Sequence, residues 1–336
     1  MKFGPVKTPE ALGSILAHSL KGPGVSLRKG IVLEAEQIAM LTQAGITDVT
    51  AARLDPEDLH EDVAALTLAQ ALVPDPEAVG LRLTKPFTGR VNIVAEKTGV
   101  VQLDAARLVA MNAIDPMITL ATVQPYQQMA AGGMVGTVKI ISYGVPKAHV
   151  DHACELGANS LRLCPTQVAT VGLILTDTPG GPGDKGKKAV IDRVEALGMR
   201  LVETRAVDHD AASIATALGE IAGDLVLILT ASATSDAYDV APQALRDAGG
   251  GVTRFGMPVD PGNLLFLGAL QTRPVIGLPG CARSPALNGV DWVLSRVACG
   301  VEVTSADIAA MGVGGLLKEI PTRPMPRAGR RKAKDL

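Results

Sequence analysis

Hydrophobic and polar positions change period along this chain, and each period predicts an element. Thr8 to Leu20 repeats apolar residues at helical spacing, with Thr8 placed to cap and Pro9 at the first helical position. Leu33 to Ala44 predicts a second helix, closed by Gly45, and Asp48 to Leu54 predicts a strand. His60 to Val73 is an Ala/Leu-rich helix that ends before Pro74 and Pro76. The pattern shifts near residue 86. Gly89 to Ala95, Ile118 to Val123 and Met134 to Ser142 read as strands, with Gly132 and Gly133 turning into the last. Leu103 to Asn112 and His149 to Gly157 read as short helices.

Residues 168–310 alternate strand and helix as a parallel sheet requires. The strands are Val171 to Leu175, Arg200 to Val207 and Leu225 to Leu229. The helices are Lys187 to Leu197, Asp210 to Ala222 with Asp210 as its cap, and Asp239 to Ala248, the last ended by Gly249-Gly250-Gly251. The unbroken apolar runs of the first and third strands predict a sheet covered on both faces. The expected fold is α/β, a doubly wound, mostly parallel sheet preceded by a smaller α+β region. The expected segments are 1–85, 86–165, 168–320 and a tail, 321–336. That tail carries Arg323, Arg327, Arg330, Arg331, Lys332 and Lys334 among Pro and Gly. It is predicted to be disordered, either a solvated terminus or a contact for an anionic partner.

Composition narrows the function. Hydrophobic residues make up 47% and charged residues 20% of 336 positions, which suits a soluble protein with a large core. Aromatic residues are only 2%, so stacking platforms for single-stranded nucleic acid are not expected. The net charge of -2 gives no general attraction to polyanions. Cys154, Cys164, Cys281 and Cys299 form no C-x-x-C pair and sit in no His-rich cluster, so neither zinc nor a disulfide framework is expected. The first residues contain no apolar signal region, and no run is long enough to span a bilayer. A cytoplasmic homo-oligomer without nucleic-acid or membrane partners is the expectation.

Candidate chemistry gathers after the strand that ends at Leu229. Thr230, Ser232, Thr234 and Ser235 offer hydroxyls, and the small residues between them, such as Ala231, leave backbone N–H groups open. A helix start adds a positive dipole end, so the turn suits a phosphate or a polar heterocycle; simple N-capping is the competing reading. Asp236 and Asp239, one helical turn apart, either share a face that holds Mg²⁺ or cap the helix. Asp177 and Asp184 lie in a Gly/Pro loop at the same end of the sheet, with Lys185, Lys187 and Lys188 nearby in sequence. Cys281 is either a thiol activated by Arg283 or a small buried residue. His18, His60, His149, His152 and His209 are scattered and suggest no site, and Trp292 reads as core on an amphipathic helix.

Several of these stretches resemble the molybdopterin-binding domain of molybdenum-cofactor biosynthesis proteins. Thr230 to Asp239 aligns without gaps on that family's ligand turn, Pro258 to Gly268 on its Pro-Gly segment, and Gly277-Leu-Pro-Gly280 on its Gly-Leu-Pro-Gly loop. Gly4-Pro-Val, Ala11 to Ala17, Leu27 to Gly30 and Ala44 to Val49 look like the start of molybdopterin molybdotransferases. Lys139-Ile-Ile, Gly256 to Asn263, Gly280 to Pro285 and Met311 to Leu317 look like a subset in which this domain precedes a nucleotidyltransferase domain.

The resemblance implies molybdopterin as ligand or substrate. The implied contacts are Thr230, Ala231, Ser232, Thr234, Ser235, Pro261, Gly262, Pro279, Gly280, Arg283 and Ser284. Asp236, standing in for the acid lost at Ala237, and Asp239 are the candidate catalytic and Mg²⁺-binding acids, and a molybdenum-cofactor nucleotidyltransferase is the implied partner. The chain departs from the family at several of these places. Its paired glycines are Ala231 and Ser232 here, its third glycine Asp236, its first acid Ala237, and its two lysines Asp260 and Asn263. Two readings follow, a molybdotransferase-like transferase or a non-catalytic carrier or sensor of the cofactor. The lost acid and lysines favour the carrier; the N-terminal resemblance favours the enzyme.

Overall fold

Residues 8 to 20 do not form the helix that their spacing predicts. In the computed structural model, which describes residues 1–317, Thr8–Glu10 makes one short 3-10 turn and Gly13 then takes a left-handed φ of 75°. Ile15–Leu16 pairs with Ala51 and Ala52, and Leu20–Gly22 forms a hairpin with Val25–Leu27. The apolar spacing is real, since Ala11, Ile15 and Leu16 are all buried. Pairing against the Asp48–Arg53 strand buries them without a helix, so tertiary contact overrides local periodicity. The basic tail and residues 318–320 lie outside the described residues.

Contacts divide the chain into two units, residues 1–165 and residues from 166 onward. In the first, helix Glu61–Leu72 starts at His60, whose Nδ1 accepts the Asp62 N–H at 3.2 Å. Its Ala64, Ala65, Leu68 and Leu72 share one apolar core with Val91, Ile93, Val138 and Ile140. That core therefore runs across residue 85. An antiparallel sheet in the order Ile118–Thr122, Met134–Ile140, Arg90–Ala95, Leu81–Leu83 forms its wall.

The second unit is built on six strands. They are β1 (Thr170–Asp177), β2 (Arg200–Asp208), β3 (Leu225–Leu229), β4 (Gly251–Phe255), β5 (Phe266–Leu270) and β6 (Arg273–Leu278). Their order across the sheet is β2-β1-β3-β6-β5-β4. Neighbours from β2 to β6 run parallel, while β5 is antiparallel to both β6 and β4. The intervening helices are α1 (Lys187–Ala196), α2 (Ala211–Glu220), α3 (Val240–Asp247), α4 (Gly289–Ala298) and α5 (Ser305–Ala310).

Every residue of β3 is buried, because both faces of the strand carry apolar packing. Leu225, Leu227 and Leu229 pack with Val190, Val194 and Val293 from α1 and α4. Val226 and Ile228 pack with Ile214, Leu218, Ala244 and Leu245 from α2 and α3. Parallel β1, β2, β3 and β6 thus deliver their carboxyl ends to one edge, where open α/β sheets place ligands. Among the described residues, no helix is long and apolar enough to cross a membrane.

Candidate functional site

Four chain segments meet at that edge. β1 ends in buried Thr176 and then Asp177; β2 is followed by His209; β3 opens into Thr230–Ser235; β6 opens into a 3-10 turn, Gly280–Arg283. The loops are tied by specific bonds. Ala231 N–H donates to Thr176 Oγ1 at 2.8 Å, which fixes the β3 turn to the end of β1. Thr230 Oγ1 donates to the Ser232 carbonyl at 2.6 Å and closes the turn on itself. Arg283 donates from Nη2 to the Thr230 carbonyl at 2.8 Å and from Nη1 to the Lys185 carbonyl. One guanidinium therefore joins the loops after β1, β3 and β6. Gly186 makes room for it: a Cβ there would lie 2.5 Å from Arg283 Cβ.

Arg283 is half-buried, and among the described residues no carboxylate lies within ion-pair distance of it. Burial pulls its guanidinium below the ordinary value, with the Asp177 charge opposing. A partly desolvated cation without a counter-ion is a site that favours an anion. In the same turn the N–H groups of Ser232, Ala233 and Thr234 have no protein acceptor among the described residues. Ser232, Ala233 and Ser235 of this turn are exposed, whereas Thr234 is buried.

The two acids have a different role from the one a shared metal face would give them. The helix begins at Val240, so Asp236 lies before it and Asp239 is its N-cap. Asp239 Oδ1 accepts the Val240 N–H at 2.7 Å, and Oδ2 accepts the Ser235 N–H at 2.8 Å. Asp236 Oδ1 accepts the Tyr238 N–H at 2.8 Å. These bonds form the caps of a turn. Among the described residues no three His, Cys, Asp or Glu side chains converge on a common point. The Mg²⁺ expected from the sequence has no support in this donor set.

Other expected residues divide between turn and wall. Pro279 leads into the 3-10 turn, and a Cβ on Gly280 would meet open space. Ser284 closes the turn, its N–H bonded to the Cys281 carbonyl at 3.0 Å. The Pro261 carbonyl accepts the Gly289 N–H at 2.8 Å, and a Cβ on Gly262 would lie 2.6 Å from that nitrogen. Pro261 and Gly262 thus pack on the start of α4; no hydrogen bond ties them to the Thr230 turn. Burial pushes the Cys281 thiol up, with Asp260 and Asp291 adding to the rise and Arg193 opposing. Cys281 is half-buried rather than buried, and a thiol raised in this way is unsuited to a nucleophile.

Two residues at this edge escaped the sequence reading. Arg193, on α1, donates from Nε to Asp291 Oδ1 at 2.6 Å and to the carbonyls of Ala282, Ser284 and Ala286, each at 2.9 Å. It holds the loop after β6 in shape. His209 stands between two loops, with Nδ1 2.9 Å from Thr176 Oγ1 and Nε2 2.9 Å from Ser232 Oγ. The histidines are indeed scattered in sequence, yet one of them is central here. Its position just after β2 was the available signal. A shallow cavity of about 630 Å³ opens beside β2 and α2, lined by Asp177, Asp208, Ser213 and Thr216 among others. Its carboxylates oppose an anion, whereas the Thr230–Ser235 turn carries N–H donors and lies beside Arg283.

Comparison with known proteins gives three findings. A family described only as a domain of unknown function (DUF8806) matches residues 5–53. No curated protein matches the chain. Among solved structures, the molybdopterin biosynthesis moea protein from Pyrococcus horikosii is similar at 15% identity and a TM-score of 0.33, over 89% of this chain and 75% of that one. A molybdenum cofactor biosynthesis protein from Pyrococcus furiosus is similar at 13% identity and a TM-score of 0.23, over 92% and 65%. Molybdenum cofactor biosynthesis protein B is similar at 16% identity and a TM-score of 0.27, over 39% and 88%. At these TM-scores the superpositions carry no argument, and the functional reading rests on this chain's own residues.

Proposed function

We propose that the second unit binds molybdopterin at the carboxyl ends of β1, β3 and β6, in molybdenum-cofactor biosynthesis, as a carrier or sensor. The observation that supports it most is Arg283. Two segments that resemble the family's ligand loops, Thr230–Asp239 and Gly277–Gly280, lie at the ends of the parallel strands β3 and β6, and Arg283 ties the turn after the second to Thr230. The half-buried guanidinium and the N–H groups of exposed Ser232 and Ala233 would hold the phosphate end of the ligand. Exposed Ser235, whose hydroxyl donates to the Ala233 carbonyl at 3.3 Å, can still accept through that oxygen, and Gly280 leaves space for a flat ring system.

The carrier reading is preferred to molybdenum transfer because both oxygens of Asp239 are engaged by backbone N–H groups. The partner in this reading is a molybdenum-cofactor nucleotidyltransferase.

Calorimetric titration of the purified protein with molybdopterin tests the reading, and saturable binding is expected. Arg283→Ala should weaken it by about 1.5–3 kcal/mol, the range for hydrogen bonds to charged groups. That variant should also lose some stability, since Arg283 links two backbone carbonyls. No heat with the wild type, beside a positive control, overturns the reading. Molybdenum incorporation into supplied molybdopterin should be absent; robust turnover would restore the transferase.

A further inference from the structure

The hydrogen bonds around His209 have a direction, and the direction says what Ser232 does. Thr176 Oγ1 accepts the Ala231 N–H at 2.8 Å. Thr176 is 1% exposed, and its hydroxyl has one other neighbour among the described residues, His209 Nδ1 at 2.9 Å. A buried hydroxyl proton needs an acceptor. Only Nδ1 can take it, so neutral His209 carries its own proton on Nε2. Nε2–H then donates to Ser232 Oγ at 2.9 Å. With its oxygen accepting from the ring, exposed Ser232 directs its own proton outward. The chain runs Ala231 N–H, Thr176 O–H, His209 N–H, Ser232 O–H, every bond in the same sense, and such chains strengthen each member.

We infer that His209 is a positioning residue that makes Ser232 a one-way hydrogen-bond donor, so that the turn takes a fully ionised tetrahedral oxyanion, an acceptor-only group. In the same turn the N–H groups of exposed Ser232 and Ala233 have no protein acceptor among the described residues, and they are donors as well. The same tautomer rules out a serine nucleophile with His209 as its base, because Nε2 already bears a proton. The inference rests on placing the ligand at this turn but not on the ligand being a pterin.

Inorganic sulfate, which has no proton to give, is the probe. Long-range ¹H–¹⁵N spectra of the wild type at mildly alkaline pH should show the His209 proton on Nε2, and sulfate should shift the Ser232 and Ala233 amides. Ser232→Ala should weaken sulfate about tenfold. His209→Gln, which can still donate to Ser232, should retain most of the affinity. His209→Asn, which reaches only Thr176, should lose as much as Ser232→Ala. A proton on Nδ1, no amide shift with sulfate, retention in His209→Asn, or equal loss in both histidine variants of a folded protein overturns the inference. Sulfate results as expected with no molybdopterin binding would sink the pterin reading and leave this one standing.

Discussion

Replacing Arg193 by Ala removes the side chain that shapes the loop after β6. Arg193 and Asp291 have side chains only 10% and 17% exposed, and their nitrogen and oxygen lie 2.6 Å apart. Breaking a buried pair from one side costs about 3–5 kcal/mol, because the remaining charge is left in a poor solvent. Asp291 Oδ2 keeps its bond from the Asn288 N–H at 2.8 Å, which holds the cost towards the lower end. The carbonyls of Ala282, Ser284 and Ala286 lose a donor together, which pushes it up. A net loss of about 3–4 kcal/mol follows.

Trp292 is the only tryptophan and lies next to Asp291 on α4, so its fluorescence follows this unit. With a urea m-value of about 2 kcal/mol/M, the midpoint should fall by about 1.5–2 M. Arg193→Lys should recover little, since an ammonium cannot supply the planar fork that reaches several acceptors. A loss under about 1 kcal/mol, or full recovery by Lys, would refute the claim that Arg193 organises the loop.

Three further outcomes follow from the structure. Burial raises the Glu61 carboxyl above its ordinary value, with Lys139 opposing. The folded state therefore binds the proton more tightly than the unfolded one, and stability falls as pH rises through the ordinary carboxylate pKa towards the folded one. Thermal melts of Glu61→Gln and wild type should differ little below that window and favour the variant above it; a variant less stable at neutral pH would mean that the Lys139 attraction outweighs burial. Asp239→Ala should cost about 1 kcal/mol through the lost cap of α3, measured by urea unfolding, while Asp236→Asn should leave molybdopterin affinity unchanged by titration.

What the chain's local pattern shows depends on range. β3 was legible because an unbroken Leu/Val/Ile run between turn residues has few alternatives to a strand buried on both faces, and all its residues are buried. The cap of α2 was legible too: Asp210 accepts the Ser213 N–H three residues on, a contact set by helix geometry alone. Asp239 was read both as a metal ligand and as a cap, since the residue types are the same for each. Only the positions of the Ser235 and Val240 N–H groups separated them.

Tertiary structure decided the rest. Residues 8 to 20 satisfy a helical period and a set of short paired strands equally well, and the Asp48–Arg53 strand selects the second. Arg193 meets its carbonyls across about ninety residues, and Arg283 meets Thr230 across 53. His209 lies 33 residues from Thr176 and 23 from Ser232. The contact arises because β2 and β3 both flank β1, which brings the carboxyl ends of all three together. Sequence spacing sets what a residue can reach within one turn or one strand. Which loops share an edge is set by strand order, and strand order follows from burying both faces of the sheet at once, a property of the whole unit rather than of any stretch of it.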